Sequence, residues 1–143
     1  MTSSIRSLAT SPVQPPGVGL VSKPWGYELR WAVGGRYAGK IIHIDRGHAL
    51  SLQYHERKEE SIYITRGVLD LVLQDDAGAL QTHRLSQGMS AHITPGRLHR
   101  FIAIDETDLV EVSSPELDDV VRIEDLYGRA GTRGDSSGPR QAR

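Results

Sequence analysis

The chain contains no cysteine, which removes disulfides, thiolate metal sites and cysteine nucleophiles together. It has no apolar run near the ~20 residues that a membrane helix needs. A net charge of −1 leaves no excess of either sign to attract nucleic acid or an anionic membrane surface. Residues 1–16 lack the apolar core of a signal peptide, so a cytoplasmic location is expected. Lysine is scarce, at positions 23, 40 and 58 only, while arginine is frequent. Genome base composition is enough to account for that bias, and it carries no functional reading by itself. Helical periodicity is nearly absent, and no internal repeat stands out.

What remains is a succession of short strand patterns. Tyr27 to Val33 alternates large and polar residues, Gly34-Gly35-Arg36 turns the chain, and Tyr37 to Asp45 is rich in isoleucine. Val68 to Gln74 and Ala79 to Leu85 flank the hairpin signal Asp75-Asp76-Ala77-Gly78. Met89 to Ile93, Leu98 to Ile104 and Leu109 to Ser113 follow, separated by further Gly, Pro and Asp turns. Strands at intervals of roughly ten residues predict an all-β sandwich or barrel. Near Val120 to Tyr127 a strand is expected to give way to a brief helical turn. The ends are poor in apolar residues and rich in Ser, Gly and Arg or Pro. The expected organisation is therefore a disordered arm over residues 1–20, a β-barrel domain over 21–128 and a disordered tail over 129–143.

One stretch states a chemistry. Between Gly47 and Gly67 lie Gln53, His55 and Glu60. Residues i and i+2 of a strand share a face, so Gln53 and His55 can converge on one point. After the polar turn Glu56 to Glu59, Glu60 begins a second strand and can point back toward them. The run Thr94-Pro95-Gly96-Arg97-Leu98-His99 offers a fourth ligand in His99. Two imidazoles, a carboxylate and an amide oxygen suit a divalent first-row ion, such as Zn, Ni, Mn or Fe, with positions left open for a substrate.

These residues resemble the two motifs of the cupin superfamily, small jelly-roll β-barrels that carry a metal near the barrel centre. The first motif reads here as Gly47, Gln53-Tyr54-His55, Glu60 and Gly67; the second as Gly88, Pro95-Gly96 and His99. Glutamine in place of the first histidine is similar to one branch, the type II mannose-6-phosphate isomerase cupin, also found fused behind mannose-1-phosphate guanylyltransferases. Lys23-Pro24-Trp25-Gly26, Leu50-Ser51-Leu52-Gln53 and Val121-Arg122-Ile123-Glu124-Asp125, with Tyr127-Gly128-Arg129, extend the likeness over most of residues 23–129. The resemblance implies a cupin-type jelly-roll barrel with a metal on Gln53, His55, Glu60 and His99. The chain departs from that branch at Glu56-Arg57-Lys58, where His and then Arg are usual, and at Ser61-Ile62-Tyr63, where an aromatic usually follows the Glu. Those departures are expected at the rim of the site, where a substrate is discriminated.

Further candidates surround this frame. Lys40 and Arg97 are expected to bind an anionic group, with Lys58 beside them. Lys40 could equally be an edge lysine with its head in water. Glu111, between Val110 and Val112, needs a partner if buried; it is a candidate base or a group that orients a metal-bound histidine. His92 is a second candidate base, and with Lys40 and Glu111 it completes the catalytic set. His43 and His48 flank Gly47, and His83 is expected in solvent. Trp25, Tyr27 and Trp31 are expected in the core or at a homodimer contact. The functional expectation is a metal-dependent isomerase or epimerase acting on a sugar or sugar phosphate. Two alternatives are a cyclase or dioxygenase acting on a polyketide or diketone-like substrate, and a non-catalytic small-molecule binder.

Overall fold

Alternation of inward and outward side chains dictates how this chain folds. In a computed structural model, which describes residue 13 and residues 15–134, the described residues form eleven strands and no helix. They are β1 (Gly19–Lys23), β2 (Gly26–Val33), β3 (Ala38–Ile44), β4 (Leu52–Tyr54), β5 (Glu60–Arg66) and β6 (Val68–Gln74). β7 (Leu80–Ser86), β8 (Ser90–Ile93), β9 (His99–Ala103), β10 (Thr107–Ser113) and β11 (Val121–Glu124) complete them. Two sheets result, in the orders β1-β2-β3-β10-β5-β8 and β11-β4-β9-β6-β7. Every pairing is antiparallel, and the architecture is the expected all-β jelly roll.

The core lies between the sheets. Ile42 and Ile44 of β3, Ile62 and Ile64 of β5, Leu69 and Leu71 of β6, Phe101 of β9 and Leu109 of β10 meet there, with Trp25 and Ile93. Burying each aliphatic side chain stabilises the fold by about 1.5–3 kcal/mol relative to exposure. Gly67 allows the crossing from β5 to β6. Its φ is +94°, and a Cβ there would stand 2.2 Å from the Glu106 carbonyl oxygen, so only glycine fits without strain.

Register determines what shares a face. Glu111 lies opposite Lys40 on one side and Ile62 on the other. Ser113 lies opposite Glu60, and Gln53 opposite His99. Towards that end of the barrel the inward positions change from aliphatic to charged.

The domain edges differ from the sequence reading in detail. β1 begins at Gly19 and pairs along its whole length with β2. After β11 the chain makes a turn instead of a helical one, because the Asp125 carboxylate accepts from the backbone N–H of Tyr127 and Arg129. Arg129 is 2% exposed, and Arg133 forms a bridge with Val121, so residues 129–134 pack on the barrel. The outer parts of both expected arms, residues 1–12, 14 and 135–143, lie outside the described residues. No helix among the described residues is long and apolar enough to cross a membrane.

Candidate metal centre

β4 is only three residues long, and its neighbour β9 brings His99 against Gln53. The turn after β4 is held from a distance. The Asp119 carboxylate accepts from the backbone N–H groups of Glu56, Arg57 and Lys58 at 3.0, 2.7 and 2.9 Å. Its backbone carbonyl accepts from His55 Nδ1 at 2.6 Å. One residue thereby fixes the turn and the ring it presents. Burial pushes the Asp119 carboxyl up, but the three N–H donors outweigh it and hold the carboxyl below its ordinary value. Its stabilising contribution is present above the ordinary pKa of 3.8 and is lost as pH falls through the lower folded value. Asp119→Ala is expected to destabilise the barrel by about 1–3 kcal/mol at pH 7. Denaturant unfolding at pH 7 and pH 3 should show that deficit narrowing in acid.

The two histidines are locked in one tautomer. His99 Nδ1 donates to the Arg97 carbonyl at 2.9 Å, as His55 Nδ1 does to that of Asp119. A carbonyl oxygen has no proton to give, so both Nδ1 atoms carry hydrogen, and the neutral rings present lone pairs at Nε2. Those lone pairs converge on Glu60. His55 Nε2 stands 2.7 Å and His99 Nε2 3.8 Å from Glu60 Oε2, in a spot where all three residues are at most 3% exposed.

None of these three atoms has an aligned hydrogen-bond partner. A buried lone pair without a partner is costly, and a divalent ion satisfies all three at once. The donor set therefore fits the metal that the barrel type implies. Burial pushes the His99 pKa down to about 4, so a proton does not compete for Nε2 near neutral pH. Burial would raise Glu60, but the Lys58 ammonium holds its carboxyl well below the ordinary range. Gln53 lines the same cavity, and the buried Ser51 hydroxyl donates to its Oε1. That bond orients the amide and uses one of its two lone pairs.

Around this point the interior is crowded with charge. Lys58, expected at the rim, is 4% exposed; its ammonium turns inward, 3.0 Å from Glu111 Oε2 and 3.8 Å from Glu60 Oε2. Burial would lower its pKa, but Glu111 and Glu60 outweigh that and raise it. Glu111 is raised as well, by burial first and the Glu60 charge second, with Lys58 opposing. Lys40 is not an edge lysine. It is buried, 3.2 Å from Glu28 Oε2, which also accepts from Arg30 Nε at 2.8 Å. All three lysines of the chain line this one cavity.

Two expected site residues lie elsewhere. His92 lies opposite Ser61 on β5 and faces outward, whereas Ile93, opposite Glu60, faces inward. Its ring is 53% exposed, with Nε2 2.8 Å from Glu59, so it cannot serve as a base in the cavity. Arg97 sits in the turn before β9, where strand parity does not apply. Its guanidinium donates to the Gln74 carbonyl and to Asp76, both at 2.8 Å, in a separate surface groove. His48 is used structurally, bonded and stacked on Tyr127. His83 is exposed, as expected.

Sequence reasoning missed the cover of the cavity. Arg122, 4% exposed, donates to Thr132 and to the Gly134 carbonyl. Arg129 forms a two-point ion pair with Asp125, both bonds at 3.0 Å. Both arginines line the site. The cavity volume is about 60 Å³, enough for an ion with a few waters.

A cupin domain model matches residues 40–114. Among curated proteins, the alginate biosynthesis protein AlgA of Pseudomonas aeruginosa is 31% identical over 114 residues, 76% of this chain. The xanthan biosynthesis protein XanB of Xanthomonas campestris and the mannose-1-phosphate guanylyltransferase ManC of Salmonella typhimurium are each 32% identical over 114 residues, again 76% of the chain. The chain spans 23% of the length of each of these relatives. Among solved structures, KdgF from Halomonas sp. aligns with a TM-score of 0.56 and 21% identity, covering 73% of this chain and 84% of that one. Oxalate decarboxylase from Bacillus subtilis aligns with a TM-score of 0.68 and 13% identity, over 81% and 34%. At those identities the likeness concerns the fold.

Proposed function

The chain belongs to the cupin family, and from that premise we propose that it is a metal-dependent isomerase or epimerase of a sugar or sugar phosphate. The observation that carries this reading is the juxtaposition of three unpartnered donors, His55, Glu60 and His99, with a cation-rich interior. The cavity is lined by six Lys or Arg side chains against four carboxylates, a balance that favours an anionic ligand. The names of the aligned relatives, which refer to alginate, xanthan and mannose 1-phosphate, support sugar chemistry for the shared segment.

Gln53, His55, Glu60 and His99 would hold the ion. When bound, a divalent ion supplies Lewis acidity toward the oxygens of an open-chain sugar. The protein's own part is proton handling and anion placement. Isomerisation of an aldose to a ketose moves one hydroxyl proton from O2 to O1 and one carbon-bound proton from C2 to C1, and leaves the overall composition unchanged. Glu111, a buried carboxyl, would take the carbon-bound proton and return it, with Lys58 stabilising it whenever it is charged. Lys40, oriented by Glu28, and the Arg122–Arg129 cover are placed to hold the anionic end.

The test is metal analysis of untagged protein together with an assay of mannose 6-phosphate conversion to fructose 6-phosphate. Turnover that needs the metal, and that falls at least ~100-fold in Glu111→Gln with the metal retained, is the expected outcome. The donor set also suits non-haem iron. Oxygen uptake by iron-loaded protein on a diketone, without sugar turnover, would replace the isomerase by a dioxygenase. Tight metal and anion binding with no turnover of any kind would leave a binding protein.

A further inference from the structure

We propose a second divalent-cation site, independent of the barrel interior, formed by His43 Nε2 with the carboxylates of Asp45 and Glu106 and oriented by Asp108. Glu60 lies level with Ser113 of β10, whereas Asp108 lies opposite His43 near the other end of that strand. Five residues of strand at about 3.3 Å each separate the two sites by roughly 16 Å. This site therefore goes beyond the sugar chemistry proposed above and does not depend on it.

His43 is on the outer face of β3, yet its side chain is only 5% exposed. Tyr27 stacks on one face of the ring at 4.9 Å with the planes 6° apart. Its Nδ1 is hydrogen-bonded to Asp108 Oδ1 at 2.6 Å. Nε2 has no aligned hydrogen bond, although Glu106 Oε2 and Asp45 Oδ1 stand 2.8 and 3.3 Å from it. A neutral imidazole has one proton for two nitrogens. With that proton on the Asp108 side, the Nε2 lone pair faces two anionic oxygens, the three ligand atoms lie close enough to share one ion, and a cation between them removes the repulsion.

The local charge agrees. Three carboxylates, Asp45, Glu106 and Asp108, face the ring. The guanidinium that reaches them is Arg66, 3.2 Å from Asp108 and 3.6 Å from Glu106. Asp105, next in the loop, is already paired with Arg46 at 2.7 Å. Two negative charges are left over, which one divalent ion neutralises. The arrangement also reproduces a general feature of metal-binding histidines, in which a carboxylate behind the ring fixes the nitrogen presented to the ion. One nitrogen and two carboxylate oxygens favour Zn²⁺ or a similar first-row ion. Asp45 and Glu106 are 56% and 39% exposed, so the site opens directly to solvent.

The probe is Zn²⁺ alone, titrated calorimetrically into metal-free full-length protein, with bound metal counted by elemental analysis. The expected result is two equivalents per chain. Glu106→Gln and Asp45→Asn, both at exposed positions that the fold does not need, should each bind one. Asp108→Asn should keep the second equivalent but bind it roughly 10–100-fold more weakly. His99→Ala should remove the interior equivalent and leave the outer one. The proposal is overturned if the wild type binds a single equivalent that His99→Ala abolishes. It also fails if Glu106→Gln and Asp45→Asn leave the count at two, or if the His43 ring simply takes up a second proton with no response to Zn²⁺. A failure of the interior site alone appears as a count that His99→Ala does not change.

Discussion

His99→Ala is expected to abolish divalent-metal binding inside the barrel, with affinity falling by more than the roughly 10–100-fold typical of losing an outer partner. His99 Nε2 is one of the three converging atoms of His55, Glu60 and His99 that have no aligned hydrogen-bond partner, and the strand opposite offers no substitute imidazole. A ligand bound only by the folded state stabilises it by about 2.7 kcal/mol at one hundred times its Kd. For a chain of this length that is an increase in Tm of about 8–10 °C. EDTA should therefore lower the Tm of the wild type by about that amount more than it lowers the Tm of His99→Ala. The chelator difference is the proper readout, because alanine also opens a void beside Phe101, whose ring centre is 5.9 Å from that of His99.

Acid gives an independent check on the metal-free protein. Burial holds the folded His99 pKa near 4, against 6.5 for an ordinary histidine. Between those values the unfolded chain binds more protons than the folded one, so stability rises with pH across that window and is lost on acidification. His99→Ala should flatten that slope. An unchanged EDTA response in the variant would remove His99 from the ligand set.

The convergence of the candidate ligands was legible in the sequence because strand geometry is periodic. Gln53 and His55 share a face by parity, and Glu60 opens the next strand, so their convergence needed no knowledge of distant contacts. The partner that holds them could not be read in this way. Asp119 is 64 residues from His55 in sequence and acts through both its carboxylate and its carbonyl. Without that clamp nothing indicates that the Glu56–Glu59 turn folds Lys58 inward. His92 and Arg97 show the limit of parity. The phase of β8 is set by its pairing with β5, and Arg97 precedes the first paired residue of β9. Lysine placement is a compositional signal of the same interior. Three lysines in an arginine-rich chain look like genome bias, yet all three meet in one cavity. The polar residues Glu28, Arg30 and Lys40, alternating with apolar ones on β2 and β3, mark an interior that is charged at one end only.

The interior charge makes the second large effect predictable. Lys58→Met is expected to destabilise the barrel by about 3–5 kcal/mol, because it leaves Glu111 and Glu60 buried without their shared cation. In the wild type the Lys58 pKa is raised above its ordinary 10.5. Its stabilising contribution is thus fully present below that value and is lost only as pH rises through the folded pKa. In the variant the burden passes to Glu111, whose pKa burial already raises and which then loses the cation that opposed the rise. The folded variant binds a proton that the unfolded chain does not hold above pH 4.5, so its deficit should shrink as pH is lowered toward that value. The double variant Lys58→Met/Glu111→Leu removes the closer ion pair and should recover the part of the stability lost through Glu111, since an apolar pair of similar volume replaces a buried ion pair at little loss, while Glu60 still lacks its cation. Its interior metal should remain bound while the turnover proposed above disappears, since that proposal makes Glu111 the proton carrier. Denaturant unfolding of the two single variants and the double variant gives the coupling energy directly. A Lys58→Met variant within 0.5 kcal/mol of the wild type, at the level of ordinary surface substitutions, would mean that Lys58 does not hold the two carboxylates together in solution.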